Sequence, residues 1–375
     1  MLGGSRLNDR RPRPLRNHAR FQERSDGVRI FDGTMAEPSC TACSYSDDSD
    51  PGITRKPARH GGWAYYDADG ARITDREEID RLNAVGLPPA YTDCWFCPDP
   101  NGHIQAVGWD EKGRKQYRYH TTFREQQESA KYELCAPFGR ALTKLRARVE
   151  RDLAQRRHSK ERTVAAVVRL LDTEALRIGN ETYAKANKSY GLTTLRDQHA
   201  EFKGGTLSLE YKAKSGKIRK LKITDRSLAR FVKKCQDLPG QQLFQYVGAD
   251  GEPHGVTSSD VNAYIKEATG GEFTAKHFRT WGASVVAFET LASAPAPIGL
   301  KTLLEPVTEK LGNTPAIARK SYVHPTLIEL GKDKAAQAAF KAGLKLPRST
   351  QYLTRYERGL IDFLEQGQAT ERKAA

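Results

Sequence analysis

The sequence lacks several features that would assign its class directly. No stretch approaches the ~18 consecutive apolar residues of a membrane-spanning helix. Hydrophobic residues make up 38% of the 375 and the mean hydropathy is −0.67, which points to a soluble protein without a membrane partner. There is no Walker-type loop, no carboxylate cluster suited to Mg²⁺ and no internal repeat, so nucleotide, metal and repeat architectures lack their signatures. Acidic residues are the minority. Asp+Glu number 46 against 61 Lys+Arg, a net charge of +15 and a pI near 9.5. Such an excess favours a polyanionic partner, most simply nucleic acid. Charge alone does not separate DNA, RNA, acidic lipid or a generic basic protein.

Cysteine is sparse. The six are Cys40, Cys43, Cys94, Cys97, Cys135 and Cys235. The N-terminus lacks the apolar core of a secretion signal, so free thiols in a reducing, cytoplasmic compartment are expected. Cys40/Cys43 and Cys94/Cys97 have zinc-knuckle spacing. The first pair lies where no fold signal exists and the second overlaps apolar Trp95-Phe96, so no metal site is expected.

Residues 1 to 55 read as a disordered basic tail. The first 34 hold eight Arg, no Lys and no apolar periodicity, and Met35 is as good a start as Met1. Residues 56–124 give β signals. Trp63 to Tyr66 precede the turn Asp67-Ala68-Asp69-Gly70, and Ile104 to Trp109 run through Asp110-Glu111-Lys112-Gly113 into Arg114 to Tyr119. The last strand mixes Arg114, Lys115 and Arg118 with Gln116, Tyr117 and Tyr119. Cations hold phosphates, while Gln and Tyr can hydrogen-bond base edges or backbone. An ordinary solvent-facing strand has the same composition.

Residues 125–330 read as mainly helical. Val164, Val167, Val168, Leu171, Ala175 and Ile178 recur at helical spacing, with Arg177 placed either to grip phosphate or to pair with Glu174. Residues 206–223 form a hairpin tipped by Lys214-Ser215-Gly216-Lys217. Ser258 or Ser259 caps a helix ending at Gly270-Gly271. Thr274 caps the next, with Phe278, Trp281, Val285 and Phe288 on its core face and Lys276 and Arg279 beside them. Residues 331–375 read as a helical, charged extension.

The most informative stretch is Leu311 to Pro325. Thr314 caps a short helix, Pro315 suits its first position, and Pro325 stops it. Tyr322 therefore sits at the helix end beside Arg319 and Lys320. A phenol ordinarily titrates at about 10. Nearby cations stabilise its phenolate and make it a nucleophile. The plainer alternative is a packed tyrosine next to surface bases.

Five segments, in order, resemble one family. Gly108-Trp109-Asp110-Glu111-Lys112-Gly113-Arg114-Lys115-Gln116-Tyr117-Arg118-Tyr119 is similar to a G-x-D-x-x-G-R-x-Q-Y-x-Y hairpin. Arg177-Ile178-Gly179-Asn180 with Tyr183, Tyr190 to Leu195 and His199 resembles a first active-site segment. Tyr211 to Lys217 resembles F-x-G-K-S-G-K, Phe273 to Trp281 resembles F-T-A-K-D-F-R-T-W, and Leu311 to Tyr322 resembles a tyrosine segment. All belong to type IB DNA topoisomerases of the small bacterial and poxvirus kind, within the superfamily they share with tyrosine recombinases.

The resemblance implies an α+β protein. A small β-rich N-terminal domain and a larger mainly helical catalytic domain with a β-hairpin would form a clamp around DNA. It implies relaxation of supercoils through a 3′-phosphotyrosyl intermediate, without ATP, metal or other cofactor. Tyr322 would be the nucleophile and Lys214 the general acid. Arg177 and Arg279 would clamp the non-bridging oxygens, and Asn313 would stand where poxvirus members carry His. Arg114, Lys115, Gln116, Tyr117, Tyr119, Tyr183 and Lys276 would bind DNA. The partner would be double-stranded DNA, met by a monomer on bacterial-type nucleoid DNA. Two departures stand out. Ala213 replaces Gly, which narrows the hairpin's conformations, and His277 replaces Asp, which predicts pH sensitivity below about 6.5. The alternatives are a tyrosine recombinase, whose usual H-x-x-R is here Lys276-His277-Phe278-Arg279, and a catalytically silent DNA-binding protein.

Overall fold

Alternation around turn residues builds the first layer. In a computed structural model, residues 43–59 and 61–374 are described, with side chains up to residue 367. Strands β1 (Ile53–Pro57), β2 (Trp63–Tyr66), β3 (Thr92–Phe96), β4 (Ile104–Trp109) and β5 (Lys115–Tyr119) form an antiparallel sheet of order β2-β1-β3-β4-β5. The expected β4–β5 hairpin forms because the Asp110 carboxylate accepts from the N–H groups of Lys112 and Arg114 and Gly113 supplies φ +66°. One sheet face buries Ile53, Tyr65, Phe96 and Ala106 against Leu82 of helix α1 (Arg76–Ala84), with Cys94 packed on the edge of this core.

β1 begins inside the stretch expected to be tail. Ile53 is a core residue there, Ser44 bridges to Gly102, and the Trp95 indole N–H donates to the Asp50 carbonyl. Short-range periodicity could not reveal the Ser44–Gly102, Asp50–Trp95 and Ile53–Phe96 contacts, because these partners lie more than 40 residues apart in sequence. The arginine-rich residues 1–42, with Met35 and Cys40, lie outside the described residues.

The second layer is helical. It comprises α2 (Thr121–Glu133), α3 (Cys135–Leu153), α4 (Lys160–Glu174), α5 (Glu181–Asn187), α6 (Arg226–Gln236), α7 (Ser258–Thr269), α8 (Ala275–Ser293), α9 (Leu300–Leu311), α10 (Pro315–Ser321), α11 (Pro325–Lys332), α12 (Lys334–Gly343) and α13 (Arg355–Ala374). Strands β6 (Ala200–Lys203), β7 (Thr206–Lys212) and β8 (Ile218–Ile223) make a three-stranded sheet, and β9 (Gln245–Val247) pairs with β10 (Pro253–Gly255). The expected apolar stripes are the core. Val164, Val167, Val168 and Leu171 of α4 meet Phe278, Trp281 and Phe288 of α8 in one continuous cluster. This is the α+β architecture expected, with a β region followed by a larger helical one.

Two boundaries differ from expectation. Thr257, not Ser258 or Ser259, caps α7, its hydroxyl accepting from the Asp260 N–H while Asp260 accepts in return. The α4 stripe also outlasts its helix. Ala175 turns left-handed, φ 49°, so Arg177 projects from a loop.

The C-terminal stretch is no appendage. Leu360, Ile361 and Leu364 of α13 are buried in the same core as α4 and α8. Glu357 and Asp172 both bind the Arg146 guanidinium, 2.6 and 2.7 Å away, and the Trp281 indole N–H donates to Glu357. Among the described residues, no helix is long and apolar enough to cross a membrane.

Candidate active site

Each functional side chain is delivered by a local backbone feature. α4 ends early, and residues 177–179 run against residues 191–193. The Leu192 N–H donates to the Arg177 carbonyl at 3.0 Å, and the Thr193 N–H to the Ile178 carbonyl at 2.7 Å. A Cβ on Gly191 would lie 2.5 Å from the Gly179 nitrogen. That close approach explains why Arg177-Ile178-Gly179 is matched by Gly191-Leu192-Thr193. It holds the Arg177 backbone rigidly.

On the other side, α9 ends at Gly312, φ 67°, a conformation that disfavours side chains. A Cβ there would meet the Arg219 guanidinium at 2.7 Å. Arg219, on β8, donates to the carbonyls of Glu309 and Lys310, tying the hairpin sheet to the end of α9. The next residue, Asn313, faces Arg177. Thr314 then caps α10 by accepting from the Ile317 N–H, Pro315 takes the first position, and Tyr322 closes the helix with φ −131° and ψ −43°.

Tyr322, Arg177, Lys214, Arg279 and Asn313 all line one concavity of about 790 Å³. Asn313 Oδ1 accepts from Arg177 Nη2 at 3.4 Å, while Asn313 Nδ2 is buried with no partner. Arg177 thus turns to Asn313, and no pairing with Glu174 forms. Arg279 is buried in α8. Its terminal nitrogens donate to the Ala175 and Leu311 carbonyls, its Nε has no partner, and its guanidinium carbon sits 4.7 Å from the Tyr322 ring centre. Buried donors without partners are rare and costly. Here both belong to residues that line one concavity with Tyr322, an arrangement suited to an oxyanion.

The phenol is tuned by these neighbours. Burial pushes Tyr322 up, but Arg279 and then Arg177 pull it down further, and it settles at about 8. The responsible cations are therefore these two arginines, not the Arg319 and Lys320 adjacent in sequence. Tyr211 lines the same concavity, yet burial holds its phenol at about 12 despite Arg219, Arg279 and Arg177. Lys214 is exposed at the hairpin tip.

Neither departure in sequence behaves as expected. Ala213 is extended, φ −88° and ψ −174°, and positive φ falls on Ser215 and Gly216 instead, so alanine imposes no strain. His277 touches no arginine. Its Nδ1 accepts from the Thr274 N–H at 3.0 Å and its ring packs on Phe138 and Phe273. Burial lowers its pKa, against a smaller opposing pull from the Thr274 backbone, which moves its titration below the expected 6.5. Its role is to cap α8.

Of the seven expected DNA-binding residues, six gather at the β4–β5 hairpin and the α5 tyrosine it touches, and Lys276 lies apart on α8. Arg114 ion-pairs with Asp110, and its Nη1 reaches the Tyr183 hydroxyl at 3.3 Å, joining the β4–β5 hairpin to α5. Gln116 donates to Asp110. Tyr117 and Tyr119 stack with ring centres 6.0 Å apart. Lys115 is bonded to Asp48, a partner in the stretch expected to be tail. Lys276 is exposed in the first turn of α8.

Sequence reasoning missed Arg219 and Lys131. The latter's ammonium is pushed down by burial and, less, by Lys276, against an upward pull from Glu128 and a smaller one from Tyr322. A lysine on α2 carries no motif, so only the fold reveals its position. Cys94 and Cys97 do not pair. Cys94 donates to the Tyr91 carbonyl, 3.2 Å away, and Cys97 is buried.

Comparison with known proteins gives this geometry a family. The profile described as eukaryotic DNA topoisomerase I, catalytic core, matches residues 120–335. The bacterial DNA topoisomerase IB N-terminal domain matches residues 62–110. DNA topoisomerase 1B of Acanthamoeba polyphaga mimivirus is 34% identical over 280 residues, covering 71% of this chain and 83% of that protein. DNA topoisomerase 1B of Vaccinia virus (strain Copenhagen) is 21% identical over 239 residues, covering 61% of this chain and 72% of that one. The solved structure of the XerH site-specific recombinase covers 54% of this chain at 14% identity, with a TM-score of 0.33 that is too low to argue from. The chain belongs to the type IB DNA topoisomerase family, within the superfamily that includes the tyrosine recombinases.

Proposed function

We propose that Tyr322 is the nucleophile of a type IB relaxation cycle on double-stranded DNA. The observation that carries this is geometric: Tyr322 shares one concavity with Arg177, Lys214, Arg279 and Asn313, with the Arg279 guanidinium 4.7 Å from its ring centre, and the two arginines draw the phenol down to about 8 against the pull of burial. In the forward step the phenolate oxygen attacks a backbone phosphorus, forming a 3′-phosphotyrosyl bond and breaking the bond to the 5′ oxygen. Lys214, on the hairpin tip, gives that departing oxygen its proton. Arg177, Arg279 and the unpartnered Asn313 Nδ2 receive the non-bridging oxygens, where charge concentrates in the transition state. The free end then rotates, and the 5′ hydroxyl attacks in reverse. The phosphodiester energy is conserved in the tyrosyl ester, so ATP is unnecessary. Two guanidiniums and an ammonium neutralise the phosphoryl group, so the cycle needs no metal.

In this reading the β-rich residues 56–124 grip the duplex and residues 125–330 carry the chemistry. Arg114, Lys115, Gln116, Tyr117, Tyr119, Tyr183 and Lys276 form the DNA-contacting set. Asn313 donates as an amide, which supplies a hydrogen bond but no transferable proton. The protein acts as a monomer on nucleoid DNA in a bacterial-type cytoplasm. The test is trapping on a duplex with a nick just 3′ of the cleavage site. The parent is expected to yield a protein–DNA adduct through a 3′ phosphate, and Tyr322→Phe none. An adduct from Tyr322→Phe would refute the assignment.

A further inference from the structure

The helix that presents Tyr322 has little packing to hold it. α10 spans Pro315–Ser321, and Ala318 is its one buried side chain. One cavity of about 380 Å³ lies against Pro315, Ala316 and Arg319. Another, of about 830 Å³, lies against Ala316, Arg319 and Lys320, and the active-site concavity takes the side of Ile317, Ser321 and Tyr322. In-line attack on phosphorus tolerates little misplacement of the attacking oxygen. Ala318 within the helix and Val323 just after Tyr322 are the buried apolar anchors of this stretch, and they fix the backbone more than the direction of the phenol.

Polar tethers add to this apolar packing on both sides of Tyr322. Tyr132, near the end of α2, is 8% exposed. Its hydroxyl donates to the Lys320 carbonyl at 3.2 Å, two residues before Tyr322. Its ring meets the His324 ring edge-on, centres 5.5 Å apart, two residues after Tyr322. His324 is fixed in turn. Its N–H donates to Ser284 Oγ at 3.0 Å, and its Nδ1 accepts from the Thr326 N–H at 3.3 Å. Burial lowers the ring's pKa, the Tyr132 backbone carbonyl offsetting part of that, to about 4. The ring is therefore neutral at working pH, as a cap acceptor must be. Tyr132 thus touches the chain on both sides of Tyr322 from a single helix, and that helix begins immediately after β5.

We propose that Tyr132 and His324 are positioning residues for strand cleavage, clamping the chain on either side of Tyr322 to α2 so that the phenol faces the phosphate. This rests on Tyr322 being the nucleophile. Neither side chain reaches the reacting atoms. Their loss acts on the fraction of time the phenol is in line, and so on cleavage and religation alike.

The test is single-turnover cleavage and religation on duplex DNA, with DNA affinity measured separately in a Tyr322→Phe background. Tyr132→Phe removes only the hydroxyl and keeps the ring. It is expected to slow both steps about tenfold, to leave their ratio and DNA affinity within twofold, and to leave the melting temperature unchanged. His324→Asn keeps a cap acceptor and loses the ring contact, and should show the same split. The double variant should be about as slow as the slower single one, since both serve one clamp. Cleavage by Tyr132→Phe within twofold of the parent overturns the proposal. So does a rate loss that merely follows lost affinity, or effects that multiply in the double variant. An adduct formed by Tyr322→Phe itself would instead refute the nucleophile assignment, so the two failures are distinguishable.

Discussion

The Arg279 guanidinium carbon lies 4.7 Å from the centre of the Tyr322 ring. It cannot swing aside, because its terminal nitrogens are bonded to the Ala175 and Leu311 carbonyls. A charge fixed in this way acts on the phenol before substrate arrives, and no reorganisation is needed at the moment of reaction. Its Nε remains unpartnered, so the same residue can both favour the phenolate and bond a phosphoryl oxygen.

This pairing sets the pH dependence. Burial raises the Tyr322 phenol, and Arg279 and Arg177 bring it down to about 8. The reactive form is the deprotonated one, so single-turnover cleavage should climb with pH up to about 8 and level off above it. Arg279→Ala should move the levelling point at least one unit higher and slow cleavage by roughly 10²–10³-fold. A parent profile that is flat from pH 6 to 9 would contradict this.

Asn313 offers a contrast between donor and acceptor. Its Oδ1 is taken by Arg177, which leaves the unpartnered Nδ2 as the group to donate to a phosphoryl oxygen. Asn313→Asp replaces that donor with an acceptor, and cleavage should fall roughly 10²–10³-fold. Asn313→His retains an N–H and should stay within about tenfold of the parent. Equal losses in the two variants would mean that hydrogen-bond donation is not the function of this position.

Lys115 is paired with Asp48, so part of its charge is offset before DNA binds. Asp48→Asn should raise duplex affinity about two- to fivefold at moderate salt, consistent with a half-buried surface pair worth about 1 kcal/mol or less. It should also steepen the logarithmic salt dependence by up to ~0.9, one phosphate contact. Lys115→Ala should do the reverse. An unchanged slope in Asp48→Asn would show that Lys115 does not reach a phosphate.

Much of this was legible in the sequence, for identifiable reasons. The α4 and α8 stripes announce themselves through helical spacing. The Thr314-Pro315 cap and the Asp110-to-Gly113 turn are local chemistry, written within four residues. What stayed hidden was long-range. Residues 44–57 have no periodicity of their own, and apart from the local β1–β2 pairing they join the sheet through partners more than 40 residues away. The cations that tune Tyr322 are 145 and 43 positions away (322−177 and 322−279), whereas the adjacent Arg319 and Lys320 attract notice first. His277 looked like a disruptive replacement because its sequence neighbour is Arg279. The helix turns its ring instead toward Thr274 and Phe138.

The most direct test of the central claim is relaxation of negatively and positively supercoiled plasmid in EDTA without ATP, comparing the parent with Tyr322→Phe. The parent is predicted to relax both substrates and the variant neither. A parent that binds DNA tightly and relaxes neither, or a variant that still relaxes either, would contradict the account.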